Sequence, residues 1–331
     1  MSADLLASRR AGRPGEKRMR RVGLILVPLL LLAITAFCTV GAQGNWDFVL
    51  PFRGKRLVAL VLVGFAIAVS TVIFQTITEN RILTPSILGF DALFVLIQTV
   101  LVFGVGAAAL GDIPPVAQFA GEVVLMVVLS TLLFRWLFGG TRHSIHLLVL
   151  VGIVFGVLFR SVSVFLQRLI DPNEFTVLQD RLFASFNAVD ADLLVISTVV
   201  LTVMGVVLWR MRHDLDVLTL GRDLSTVLGA DHHRLVLRLL VVVSVLVSVS
   251  TALVGPITFF GLLVASLAYQ ITGTHRHAAN LPVAVALAVL ALVGGQTVLE
   301  HVFGLATVLS VIIEFIGGIV FIVLVTRGAR R

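Results

Sequence analysis

Apolar runs of about 20 residues, separated by short hinges of charged residues, glycine or proline, repeat along almost the whole chain, and each is long enough to cross a bilayer as a helix. Ten such windows can be drawn, at approximately 22–41, 57–77, 91–111, 115–138, 145–167, 190–210, 234–254, 257–271, 279–299 and 307–326, the eighth being the shortest. The pattern predicts one all-α polytopic membrane domain over residues 22–326, between a basic tail at 1–21 and a short tail at 327–331.

Two connections exceed a minimal turn. Residues 212–233, "RHDLDVLTLGRDLSTVLGADHH", alternate apolar and charged positions around Gly221 and Gly229, which predicts two short interfacial helices with glycine hinges. Residues 168–189 carry the helix start Asp171-Pro172 and predict another short helix before the sixth window. A third break, "TENRILTPSILGFDALF" at 78–94, is read as a turn: Glu79 and Arg81 reach water, Pro85 stops the helix, and Gly89 permits a sharp re-entry. Asp91 is explained in the same way, by water and by its place at the N-terminus of the third helix, where a carboxylate is favourable.

Composition agrees: of 331 residues 58% are hydrophobic and 13% charged, where a soluble domain carries about 25% charged residues. The formal charge of +7 does not point to nucleic acid, because the basic residues gather at the ends of apolar runs. With the N-terminus inside, 19 of the 25 Lys and Arg residues fall on the cytoplasmic side, as the positive-inside rule favours. Ten spans then put both termini in the cytoplasm. The first window resembles a signal peptide loosely, with Val40-Gly41-Ala42 at its end, but its length favours a retained span. Cys38 is the only cysteine, so neither a disulfide nor a cysteine cluster can form within one chain.

Chemical motifs are few. No phosphate loop exists, since Gly54-Lys55 is followed by Arg56, so ATP hydrolysis is not expected of this chain. Ion-coupled transport would place carboxylates at mid-membrane; Glu122, Glu300 and Glu314 are the candidates, and Glu314 is the deepest. His143 with His146, His232 with His233, and His275 with His277 lie at predicted inner edges, where His is a tolerated polar residue, and no carboxylate-histidine set shares a helix face. No metal site is expected, and no nucleophile or metallohydrolase motif occurs.

Four blocks carry a resemblance. "RGKRLVALVLVGFAIAVSTVIFQTITENRILTPSILGFDALF", "LDVLTLGRDLSTVLGAD", "GPITFFGLLVASLAYQITGTHRH" and "VGGQTVLEHVFGLATVLSVIIEFIGGIVFIVL" resemble, in order, blocks of the FecCD-type permeases of ABC importers for ferric siderophores, haem and cobalamin. An R-x-x-R pair, Arg53 and Arg56, precedes a glycine-bearing helix, and Asn80 through Pro85 to Gly89 follows it. The segments after the second and fifth windows are similar to those of catecholate-type siderophore permeases rather than cobalamin permeases.

The resemblance implies a type II ABC importer permease in a prokaryotic plasma or inner membrane. It implies a second permease subunit, like or unlike this one, two cytoplasmic ATPases that hold ATP and Mg, and an extracytoplasmic siderophore-binding protein. Arg53 and Arg56 become candidates for docking that protein; interfacial anchoring is the other reading. Leu218, Leu220, Gly221, Arg222, Asp223, Leu224, Leu228 and Gly229 become the ATPase contact, an apolar ridge with charges that set register. The fifth span points to Arg160 and Gln167 as pathway residues, although Arg160 could equally snorkel outward or pair with a carboxylate. A cobalamin or haem permease of the same family, an ion-coupled transporter and a structural membrane subunit are the alternatives.

Overall fold

The computed structural model describes residues 14–41, 44, 46–138, 145–187, 189–302, 304 and 308–328. Arg9, Arg10, Arg13, Arg142, His143, Arg330 and Arg331, together with the side chains of Lys17, His146 and Arg327, lie outside the described residues.

The described elements are helical. In chain order they are α1 (Pro14–Thr39), α2 (Trp46–Ile77), a 3-10 turn (Pro85–Leu88), α3 (Phe90–Val105), α4 (Ala107–Gly111), α5 (Pro115–Phe138), α6 (Ile145–Gln167) and α7 (Pro172–Leu182). They continue with α8 (Ala191–Arg210), α9 (Arg212–Leu218), α10 (Gly221–Val227), α11 (His232–Val254), α12 (Phe260–Thr272), α13 (His277–His301) and α14 (Leu309–Gly328). Seven of these are long and apolar enough to cross a membrane, and α3, α12 and α14 contribute shorter apolar stretches. Together they coincide with the ten expected windows, and the fold is that of an all-α polytopic membrane protein.

Burial sorts the helices. In α2 and α11 the apolar window is 72% buried, whereas in α6 it is 17% buried and in α1 11%. Both faces of α2 and α11 are therefore covered by protein, and α12 and α13 pack against α2 to complete the core. Helices hydrophobic all round serve equally for such a centre and for a lipid-facing rim, so sequence alone did not rank them.

Two differences from the sequence reading matter. The second helix starts at Trp46, earlier than expected, and carries Pro51, Arg53 and Arg56 within it. The third window is interrupted at Gly106, whose φ is 87°, so the helix ends at Val105 and α4 follows as a separate turn.

The break at 78–94 is more than a surface turn. Gly89, at φ 91°, lies so close to α6 that a Cβ there would sit 2.7 Å from the Cα of Gly156. Gly152 and Gly156 lie about 10 to 16 Å along α6 from its start, at ~1.5 Å per residue. The chain thus climbs back beside α6 before α3 begins. Irregular backbone at that depth is tolerated because protein covers it. Asp91 accordingly does not reach water: it is 7% exposed, and the expectation of a solvated residue is corrected by this re-entry. Glu79 and Arg81 are exposed as expected. Glu79 takes a positive φ of 52°, a strained setting for a residue with a Cβ.

At the same end, the first helix finishes the eighth apolar one. Arg18 donates from Nε to the Ile271 carbonyl at 2.9 Å and from Nη2 to the Gln270 carbonyl at 2.7 Å. A cation on the free carbonyls of a helix C-terminus satisfies them and suits the helix dipole.

Candidate coupling segment and the two polar ends of the domain

The segment between α8 and α11 folds as two seven-residue helices, α9 and α10, hinged at Gly221 (φ 84°) and Gly229 (φ 86°). Glycine is required at both hinges because the left-handed region strains any residue with a Cβ. The two helices divide the apolar residues between them. Leu215 and Leu218 are buried on the membrane domain, 0% and 2% exposed, so Leu218 belongs to the footing of the segment and not to its free face. Leu220, Leu224, Val227 and Leu228 are exposed, Val227 at 84%. Arg222 and Asp223 flank them, both exposed. An apolar ridge bordered by opposite charges is suited to a groove on another protein. Val227 was not singled out from the sequence, though its place one position before Leu228 extends the same ridge.

The footing is also polar. Asp216 on α9 accepts from the backbone N–H of His277 and from its ring Nδ1, both at 2.8 Å. His277 is fully buried, and its Nε2 stands 2.8 Å from Thr76 Oγ1 on α2. His277 was expected only as a tolerated polar residue at an inner edge; the structure makes it the meeting point of α9, α13 and α2. Arg81 from the break at 78–94 reaches the turn before α13, with Nη2 3.0 Å from His275 Nδ1 and the guanidinium over the Tyr269 ring at 4.9 Å. No sequence signal linked Asp216 to His277, since they are 61 residues apart.

The opposite end holds the expected docking pair. Arg53 donates from Nη1 to the carbonyls of Phe37 and Val40 at 2.6 and 2.7 Å, which ties the start of α2 to the end of α1. Arg56 forms an ion pair with Glu300 of α13 at 2.9 Å, with side chains 12% and 10% exposed, and its guanidinium lies over the Phe52 ring. Gln296 donates to both Glu300 Oε1 and Asn187 Oδ1, which extends the network to the loop after α7. Both arginines lie in the first turns of α2, and both are already engaged by the chain's own groups.

Of the pathway candidates, Arg160 is exposed on α6. Gln167 instead donates to Thr99 Oγ1 at 3.1 Å and fastens α6 to α3. Glu314 is half-buried on α14. A cavity of about 20 Å³, lined by Ser70, Thr71, Ser86, Asp91, Ser250 and Thr258 among others, is large enough for one water. Among the described residues no three His, Cys, Asp or Glu side chains converge on a common point.

Comparison with known proteins places these features in a lineage. The family model of the FecCD transport family matches residues 15–327. The petrobactin import system permease protein YclO of Bacillus subtilis (strain 168) is 49% identical over 303 residues, covering 92% of this chain and 96% of that protein. The petrobactin import system permease protein FatC of Bacillus anthracis is 38% identical, covering 94% and 90%. The ferric enterobactin transport system permease protein FepD of Escherichia coli (strain K12) is 28% identical, covering 90% and 88%. A solved structure of a metal-chelate type ABC transporter in an inward-facing conformation superposes with a TM-score of 0.82 at 20% identity, covering 93% of this chain and 99% of that one. At that identity the likeness establishes the fold.

Proposed function

The chain belongs to the FecCD transport family, and from that premise we propose that it is the membrane-spanning permease subunit of an ATP-binding cassette importer whose cargo is a ferric siderophore. Kinship to two permeases named for petrobactin import, at 49% and 38% identity, supports an iron chelate over cobalamin or haem as that cargo. ATP and Mg are bound by partner ATPases, and this chain supplies the path through the membrane.

The observation that carries the reading is the exposed ridge of Leu220, Leu224, Val227 and Leu228 on a hinged segment whose other side is buried in the domain. Such a segment can receive a push from a protein bound below and deliver it to the spans. ATP-driven closure of the ATPases moves α9 and α10, the attached spans tilt, and the pathway between two permease subunits opens alternately to each side. Arg160, exposed on a weakly buried helix, is placed in this reading at the subunit-facing pathway, where a cation suits an anionic iron chelate. The end with Arg53 and Arg56 receives the substrate-binding protein, with its carboxylates exchanging onto arginines that the chain holds in position. Both termini lie in the cytoplasm in this arrangement.

The test is uptake of radio-iron from ferric petrobactin in a strain lacking the chain and any redundant importer, with cobalamin and haem as competing cargoes. Loss of iron uptake on deletion, restored by the chain, is expected. Unchanged uptake overturns the reading, and loss confined to cobalamin or haem reassigns the cargo. Co-purification with a phosphate-loop ATPase separates an ABC permease from an ion-coupled carrier.

A further inference from the structure

An apolar footing such as that of Leu215 and Leu218 holds a segment against a surface but resists sliding poorly, because hydrophobic attraction is non-directional. Transmission of a displacement needs directional links. The hydrogen bonds of Asp216 are of that kind, and they are arranged in series. α13 has no cap of its own, since Arg276 at its N-cap position makes no side-chain cap bond. Asp216 Oδ1, from another helix, takes the place of the missing cap by accepting the N–H of His277 at 2.8 Å. The same oxygen accepts from the ring of His277 at 2.8 Å. A carboxylate only accepts, so Nδ1 carries the proton and the ring orientation is fixed.

The far side of that ring meets Thr76 in the last turns of α2, and Thr76 Oγ1 lies 2.9 Å from the Val72 carbonyl. One more link extends the chain sideways. Asn280 on α13 donates to the Thr274 carbonyl at 2.7 Å and accepts from Thr272 Oγ1 at the end of α12. These bonds link α9 to α13, α12 and α2, helices of the buried core. In α10, Ser225 Oγ lies 3.0 Å from His232 Nδ1 at the start of α11.

We propose that Asp216, His277 and Thr76 form a strut that converts displacement of the coupling segment into movement of the core helices, with Asp216 and His277 as positioning residues. Asp216 is one-third exposed and His277 fully buried, so the strut crosses from the surface segment into the dry interior. The inference rests on the reading of residues 214–231 as the ATPase contact.

The experiment measures siderophore uptake per ATP hydrolysed by the complete importer in proteoliposomes, with its ATPases and binding protein. Asp216→Ala removes the strut at its exposed end and is expected to lower that ratio about tenfold, the scale of a typical coupling energy. Asp216→Asn keeps an acceptor oxygen in place and restores part of the ratio. Thr76→Val keeps side-chain shape, lies within the membrane domain away from any ATPase, and lowers the ratio less, by about threefold. Thr76→Val carries the test if Asp216→Ala does not assemble. A ratio equal to wild type in assembled variants, or a parallel fall in uptake and hydrolysis, overturns the strut. A wild-type chain that does not assemble with an ATPase overturns the coupling-segment reading beneath it.

Discussion

The two ends of α13 are held by carboxylates under opposite electrostatic conditions. At the N-terminus Asp216 meets the positive end of the helix dipole and free N–H groups, so charge and helix agree. Near the C-terminus Glu300 sits at the negative end of the same dipole, where a carboxylate is unfavourable, and Arg56 compensates it. The first carboxylate comes from a segment outside the core; the second belongs to α13 and is met by α2, against which α13 is already packed. In the proposed strut the first junction would transmit motion between parts, whereas the second fastens helices already packed together. Arg56 is needed by the fold before any partner arrives.

That contrast can be broken at the Glu300 end with the largest effect. Arg56→Ala leaves a mostly buried carboxylate unpaired at a helix C-terminus, and a loss of about 3 kcal/mol is expected. The readout is a lower thermal unfolding midpoint of the detergent-solubilised chain. Adding Glu300→Gln should recover most of the loss; if the double variant is as unstable as the single one, the pair is not what Arg56 serves. The Asp216 end should respond more mildly in stability. Asp216→Asn removes charge from the favourable end of the dipole, a loss of about 0.5 to 1 kcal/mol by the same measurement. Exposed Leu228→Ser should change stability by less than about 0.5 kcal/mol. Its effect belongs to assembly, as reduced co-purification of the ATPase; full retention would remove Leu228 from that contact.

The ten apolar helices, the two short helices of residues 212–233 and the short helix after Asp171 were legible because each is a local pattern: an apolar run, a glycine hinge, an Asp-Pro start. What was not legible is pairwise and distant. Arg56 reads from sequence as a free cation at a helix start, because Glu300 is 244 residues away. His277 reads as a residue at a water boundary, because nothing in "THRH" announces that the side chain turns inward to Thr76. Asp91 was placed correctly at a helix start, yet its depth depended on Gly89 meeting Gly156, a backbone approach that no hydropathy pattern encodes. Leu218 and Leu220 look equivalent in "VLTLG", and only the packing of α9 separates the inward residue from the outward one.

The shortness of α12 bears on how the chain is made. Thirteen residues give a helix of about 20 Å, well under the ~30 Å of hydrocarbon it must cross. Such a segment partitions poorly by itself when it leaves the insertion machinery, and its irregular approach from Gly255 to Phe259 needs protein around it. Its lower end is closed by Arg18, synthesised some 250 residues earlier. The expected consequence is that the eighth apolar segment settles after α1, α2 and α11 have gathered. On that expectation biogenesis is an ordered event in which the first helix waits for a late one, and truncations ending shortly after His275 should show α12 uninserted by glycosylation mapping when α1 is deleted.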